Sequence, residues 1–493
     1  MSATVAPFQV SPVRVTSPLY WMASIPLTLR SMYIRGRFVN PFPTWRDKTL
    51  WDFCQWRATR TGGNGLPQTE TTLQETLPVV EPSWESLYPS PVPSPHTPSL
   101  TTPPVVNSGA AGSMDASWVM QFSVLADKPN SVPTGSSHAN VTAPAASGST
   151  DSDNHVLTSN QVTVTWLGQS TCYVQLPGLN ILTDPIFQAR TVTSWLGPKR
   201  LRPIPCQLEQ LRVDVVLVSH NHYDHLDLEC VRKLGNTVLW FVPLGMRAWF
   251  VRNGIQRVVE MDWWQFTQVS TMTPAQTPWL TVDPVTCTSS DDLVRHTFHI
   301  GAIPAQHWSG RTPLDSNCTL WCGWAVRRVS TDLPCPSSDI TIPTLSPRNS
   351  SLPLTSSSYP IHDVAIAPFY SPGTSDQGSF FHCGDTGYYA PLFRTIGQAI
   401  GPVTLAALPI GSYQPRWYMH HQHIDPADAV LIHEDLRAHR SIGVHWATFM
   451  LSDEDYLDPP RDLVRALLER GQPAESFVTT HIGQTLCIPT PTV

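Results

Sequence analysis

Ser219-His220-Asn221-His222-Tyr223-Asp224-His225-Leu226-Asp227 follows directly on the apolar run Val215-Val216-Leu217-Val218. A short β-branched and aliphatic run that stops at polar residues reads as a buried strand entering a tight turn. Four metal-binding side chains, His220, His222, Asp224 and His225, then fall within six residues. Packing alone does not call for three imidazoles and a carboxylate in one turn. All four would crowd a single ion, whereas alternate residues pointing to different sides can serve two adjacent ions. The turn therefore predicts a two-metal hydrolytic centre.

Such a centre needs about eight ligand positions, so further ligands belong at the ends of later strands. Three places fit. Ile303-Pro304-Ala305-Gln306-His307-Trp308 puts His307 just past a strand; His382-Cys383-Gly384-Asp385-Thr386-Gly387 ends another in Asp385; Ile442-Gly443-Val444-His445-Trp446 ends a third in His445. Taken singly each is weak. A lone histidine near a strand end is usually an ordinary residue, and an Asp between glycines is usually a turn.

Strands are expected at 162–167, 172–176, 180–183, 214–218, 239–242, 258–261, 296–303, 320–326, 379–383, 404–408 and 442–444. Helical patterns lie at 227–234, 246–252, 426–438 (capped by Asp425) and 460–470. Strands with helices at intervals predict a layered α/β domain over 161–489. Residues 1–35 read as a flexible tail, and the aromatic-rich 36–86 as a segment packing on the main domain. Residues 87–160 are dominated by Pro, Ser, Thr, Ala and Gly and read as a disordered insertion. Two surface-loop insertions are expected at about 267–293 and 330–359.

The composition sets limits. The net charge is −7 and no long Lys/Arg block appears, which argues against a nucleic-acid partner. The 10 Cys are scattered without Cys-x-x-Cys spacing, as in a protein of reduced thiols. The best apolar stretch, 19–29, is broken by Pro26 and is about half the roughly 20 residues a spanning helix needs. It suits an interfacial anchor better.

His-x-His-x-Asp-His followed by a His, an Asp and a His resembles the metallo-β-lactamase fold, an αββα sandwich. Flanking motifs narrow the resemblance to the phospholipases D that hydrolyse N-acyl-phosphatidylethanolamine. They include Trp166-Leu167-Gly168, Leu182-Thr183-Asp184-Pro185, Gly197-Pro198-Lys199-Arg200, Asp262-Trp263-Trp264, Gln306-His307-Trp308, Pro415-Arg416-Trp417, Gln422-His423-Ile424-Asp425-Pro426 and His445-Trp446-Ala447-Thr448-Phe449. Upstream, Arg37-Phe38-Val39-Asn40-Pro41 and Pro43-Thr44-Trp45 resemble the same family.

The resemblance implies two Zn2+ ions per chain. His220, His222 and His307 would hold one; Asp224, His225 and His445 the other; Asp385 would be shared. It implies cleavage of N-acyl-phosphatidylethanolamine to N-acylethanolamine and phosphatidic acid, with Gln422 and His423 near the metals. Tyr223 is either a phosphate hydrogen-bond donor or a packing residue. Asp184 and Asp227 are expected to receive the second ring nitrogen of ligating histidines, unless they respectively end a strand and cap a helix. A phospholipid substrate, peripheral attachment to a membrane surface, an intracellular location on the cytosolic face or in the cytoplasm, and a homodimer follow as expectations. Other readings stay open: a lactonase or other phosphodiesterase of the same fold, a nuclease, or an inactive lipid-binding scaffold. The insertions have no counterpart in the family pattern.

Overall fold

Val215 and Leu217 belong to one apolar cluster, Val216 and Val218 to another. The run before the histidine-rich turn is thus a strand buried on both faces, as expected of a sheet covered on both sides. The computed structural model describes residues 9–11, 26–60, 64–89, 161–275, 277–282, 293–329, 333–334 and 377–491.

A short strand β1 (Gln9–Ser11) and a hairpin of β2 (Met32–Ile34) and β3 (Arg37–Val39) precede the main body. Strands β4 (Gln161–Gly168), β5 (Thr171–Leu176) and β6 (Leu179–Thr183) form an antiparallel meander. Then β7 (Val215–Leu217), β8 (Leu239–Pro243) and β9 (Val258–Met261) add in parallel. The second sheet repeats this plan. In it β10 (Phe266–Pro274), β11 (Leu293–Ile303) and β12 (Gly323–Arg328) run antiparallel, with β13 (Leu333–Pro334) against β11. After β14 (Ser379–His382), antiparallel to β12, the strands β15 (Leu405–Pro409), β16 (Arg440–Val444) and β17 (Phe477–Val478) add in parallel. β18 (Thr485–Pro489) returns to the first sheet beside β4.

The helices are α1 (Leu50–Thr59), α2 (Glu70–Thr76), α3 (Trp84–Leu87), α4 (Leu228–Leu234), α5 (Arg247–Arg252), α6 (Ala390–Ile400), α7 (Arg416–Met419), α8 (Pro426–Asp435) and α9 (Asp458–Glu469). Cys230, Val231 and Leu234 of α4 and Phe250 of α5 cover the outer face of the first sheet together with Trp240 and Val242. Leu392, Phe393 and Ile396 of α6 and Val430 and Ile432 of α8 join the cluster that contains both sheets. The result is helix, sheet, sheet, helix. Gly397 lets α6 approach α8: a Cβ there would lie 1.8 Å from the carbonyl oxygen of Asp435. Backbone cannot yield as a flexible side chain does, so Gly397→Ala is expected to destabilise the domain by about 2 kcal/mol or more, read as a lower denaturation midpoint.

Several expectations need correction. Phe266–Pro274 is a nine-residue strand paired with β11 along its whole length, not a surface loop. Its many Thr, Ser and Gln residues hide the pattern, but Thr and Val are strand formers and Phe266, Val269, Thr271 and Met272 are buried. Residues 283–292 lie outside the described residues. The tail of 1–35 is packed where it is described: Leu29 is buried, its carbonyl accepts from Trp264 Nε1, and β1 pairs with β10. Leu87 is fully buried and Tyr88 donates to or accepts from Tyr173 Oη, so 87–89 belong to the folded body. The rest of the 87–160 insertion, and all of the 330–359 insertion except β13, lie outside the described residues. The strand expected from Leu320 begins at Gly323.

The segment over 36–86 joins the same core through Phe38, Phe42, Leu73 and Leu77. It also reaches the future site, because Asn40 Nδ2 donates to the His307 carbonyl at 2.5 Å and Thr44 Oγ1 to Gln306 Oε1 at 2.5 Å.

Candidate metal centre

The expected ligands lie past the C-terminal ends of strands from both sheets. His220, His222, Asp224 and His225 follow β7, His307 follows β11, Asp385 follows β14 and His445 follows β16. These ends meet at one rim, where loops of α/β folds carry their sites. Two donor groups result: His220, His222 and His307; and Asp224, His225, Asp385 and His445. Within each group the ligand atoms lie within 4.8 Å of one another. Asp385 Oδ2 sits among them, 3.1 Å from His225 Nε2, 3.3 Å from His445 Nε2, 3.7 Å from His307 Nε2 and 3.9 Å from His220 Nε2.

The donor atoms fit cations. His222 Nδ1 lies 2.7 Å from His220 Nε2 and 3.3 Å from His307 Nε2. One proton can bridge only one of those pairs, so three converging ring nitrogens are a poor proton site and a good metal site. In the second group His225 Nε2, both ring nitrogens of His445 and Asp385 Oδ1 are buried with no hydrogen-bond partner. Such orphaned polar atoms are costly unless something binds them.

Protonation agrees. Burial above all, with the neighbouring imidazoles, pushes His220 well below the ordinary range. Burial likewise lowers His222 and His307 to about 3, against the pull of nearby carboxylates. All three are neutral, the ligating form. Burial also opposes charge at His225 and His445, but Asp385 and Asp224 outweigh it and hold both above the ordinary imidazole range, His445 at about 9. Burial opposes the charge of Asp385 and Asp224 too, yet the imidazoles prevail and keep both carboxyls ionised.

One carboxylate orients both donor groups. Asp184 Oδ2 accepts from His225 Nδ1 at 2.9 Å and from Ser219 Oγ at 2.7 Å. Ser219 Oγ in turn lies 2.9 Å from His220 Nδ1. Each contact fixes a ring and leaves its Nε2 facing inward. Asp227, the other carboxylate expected to do this, instead caps α4 through Glu229 N and accepts from Phe187 N and Gln188 Nε2. His307 Nδ1 donates to the Gln422 carbonyl at 2.9 Å.

Backbone conformation also serves the centre. His445 has φ 63°, a left-handed conformation unusual for a residue with a side chain. Its N–H donates to the Gln169 carbonyl at 2.8 Å. Gly411 leaves room, since a Cβ there would come within 2.2 Å of the His445 oxygen.

The other expected residues are placed as follows. His423 joins His307 and Asp385 as a third donor group, its Nδ1 unpartnered and 3.8 Å from Asp385 Oδ2. Gln422 contributes its carbonyl, while its side-chain amide faces Met419 Sδ at 3.9 Å. Tyr223 is half-buried beneath the Arg311 guanidinium, 4.5 Å from its ring centroid.

Two buried partners were not expected from the sequence. Gln169 Nε2 donates to Asp224 Oδ2 at 2.8 Å, and His382 Nε2 lies 2.8 Å from Asp184 Oδ2. Gln169 lies in a turn at φ 52° that no spacing marks. His382 could have been suspected, because it precedes the Cys-Gly-Asp turn on a strand buried on both faces.

Among known proteins, the beta-lactamase superfamily domain matches residues 179–333 and 369–446. The mitochondrial N-acyl-phosphatidylethanolamine-hydrolyzing phospholipase D of Saccharomyces cerevisiae is 30% identical over 462 residues, covering 92% of this chain and 76% of that protein. The chain belongs to the N-acyl-phosphatidylethanolamine-hydrolysing phospholipase D family. N-acyl-phosphatidylethanolamine-hydrolyzing phospholipase D 1 of Caenorhabditis elegans is 33% identical, over 65% of this chain and 74% of that protein. A solved metallo hydrolase from Ignicoccus hospitalis is similar over 66% of this chain and 98% of its own, at 18% identity and a TM-score of 0.37. This member of the N-acyl-phosphatidylethanolamine-hydrolysing phospholipase D family has the metallo-β-lactamase fold and a His/Asp cluster that is a candidate metal site.

Proposed function

We propose that the chain hydrolyses N-acyl-phosphatidylethanolamine to N-acylethanolamine and phosphatidic acid. The convergence of seven donor side chains from both sheets at one rim carries this reading, and family membership supplies the substrate class. His220, His222 and His307 would hold one Zn2+, and Asp224, His225 and His445 a second, with Asp385 shared. When bound, such a pair supplies Lewis acidity that activates water and offsets the charge of a phosphodiester.

The chain's own groups do the rest. In the overall reaction a water oxygen bonds to phosphorus, the bond from phosphorus to the ethanolamide oxygen breaks, and that oxygen takes a proton. Burial pushes His423 well below the ordinary imidazole range. It is therefore neutral at pH 7 and can donate one ring N–H to a phosphate oxygen. Gln169 and Asp184 hold Asp224, His220 and His225 in place, so little reorganisation accompanies binding.

A cleft of about 540 Å³ opens beside the centre, lined in part by His222, Tyr223, Asp224, Val192, Trp308 and Leu451. Its lining is largely apolar, as an acyl chain requires. Loops that line it also carry exposed apolar side chains, Trp195 at 76%, Leu196 at 48% and Leu314 at 85%. These suit insertion at a bilayer surface. Among the described residues no helix is long and apolar enough to cross a membrane, so attachment is proposed to be peripheral. The eight described cysteines are all free thiols, which supports the cytosolic face of an intracellular membrane. Trp195→Ala with Leu314→Ala is expected to weaken binding to phosphatidylcholine vesicles about tenfold, measured by co-sedimentation.

Mass spectrometry of products from a defined N-acyl-phosphatidylethanolamine tests the function. Phosphatidic acid and the matching N-acylethanolamine are expected. Turnover of lactones with none of the lipid would overturn the assignment.

A further inference from the structure

Outside the metal centre, Lys48 stands out. Its ammonium lies 3.9 Å from the Tyr418 ring centroid and 4.0 Å from Met419 Sδ. Among the described residues it makes no ion pair with a carboxylate. Asp52, whose field it feels, is already engaged: its carboxylate accepts from Thr49 N at 2.8 Å and Thr49 Oγ1 at 2.7 Å and pairs with Arg46 at 2.5 Å. Burial lowers Lys48 to about 7, with Asp52 offsetting only part of the effect. Arg46, His420 and His421 lie in the same neighbourhood, and the charges of His420, Arg46 and Lys48 add to burial in lowering His421. A cation partly withdrawn from water without an anion beside it is unfavourable, and an arriving anion removes the cost.

Beside these polar groups, residues close to Lys48 in sequence or packed on Tyr418 expose apolar side chains. Leu50 and Trp51 are 79% and 75% exposed, Phe53 45% and Trp417 39%. The rings of Phe53 and Trp417 are continuous with the Lys48 cushion. Phe53 meets Trp56 at 6.0 Å, Trp56 stacks on Tyr418 at 5.1 Å, and Trp417 meets Tyr418 at 5.5 Å between centroids. A soluble anion would use the ammonium and leave this aromatic shelf in water. A molecule anionic at one end and apolar beyond it would use both. The Met419 sulfur contacts Lys48 on one side and the Gln422 amide on the other, so the shelf borders the reacting centre, and the Lys48 charge adds to burial in lowering His423.

We propose that Lys48 and the Phe53 and Trp417 shelf bind the phosphate head group of an anionic phospholipid of the bilayer. The site would hold the protein on anionic bilayers whatever the substrate. The test is vesicle co-sedimentation of the full chain on phosphatidylcholine alone and on phosphatidylcholine doped with phosphatidic acid. It needs no turnover, so its outcome is independent of the proposed hydrolysis. Wild type is expected to prefer the doped vesicles. Lys48→Met should reduce that preference about fivefold and Lys48→Glu further, while Lys48→Arg keeps it. Trp417→Ala should weaken binding to both vesicle types alike, with thermal unfolding of every variant confirming the fold. Excess inorganic phosphate should leave binding to doped vesicles unchanged. An unaltered preference in folded Lys48→Met, or full displacement by inorganic phosphate, overturns the proposal.

Discussion

Asp385→Asn is expected to lower kcat/KM by at least about 10³-fold and to reduce metal content as measured by elemental analysis. The substitution keeps the shape of the side chain and removes one charge. Asp385 Oδ2 lies between 3.1 Å and 3.9 Å from ring nitrogens of His225, His445, His307 and His220, so no other group can take its place. Its ionised form is held by those imidazoles despite complete burial. An amide in that position presents an N–H to donors that need an anion. Activity within tenfold of wild type would remove Asp385 from the centre.

The largest effect on stability is expected at Asp184. It is fully buried and accepts from Ser219 N at 2.6 Å, Ser219 Oγ at 2.7 Å, His225 Nδ1 at 2.9 Å and His382 Nε2 at 2.8 Å. Asp184→Ala strands four buried donors and is expected to cost about 3–5 kcal/mol, read as a lower midpoint in chemical denaturation. Activity should fall as well, since His220 and His225 lose the contacts that aim them. The effect depends on pH in a definite direction. Burial opposes the charge of Asp184, but His382 and His225 prevail and lower it from 3.8 to about 2. Its stabilisation is therefore complete above pH 3.8 and is lost as pH falls through 2. The difference between wild type and Asp184→Ala should shrink over that interval. A constant difference would show that the carboxylate acts by packing rather than by charge.

How much of this was legible in the sequence varies by residue. The turn at 219–227 could be read directly, because its ligand types are rare together and an apolar run precedes it. His307, Asp385 and His445 are 80 or more residues away in sequence from that turn, and nothing local separates them from ordinary strand-end residues. Only the family's flanking motifs singled them out. Strand β10 escapes a reading of the sequence because its Thr, Ser and Gln content mimics a loop, although it pairs with β11 along its whole length and six of its nine residues are buried. Gln169 and His382 act through other residues, and such contacts leave no spacing to detect. Lys48 is an ordinary lysine in the sequence; its lack of an anion exists only once α1 packs on α7.

The donors are shared between two sheets, and the last of them, His445, follows β16. A ribosome must therefore finish nearly the entire domain before both donor groups are complete. A truncated or stalled polypeptide ending before Val444 would lack one of the seven donors, so its second group, reduced to Asp224, His225 and Asp385, should hold an ion less tightly than the finished domain.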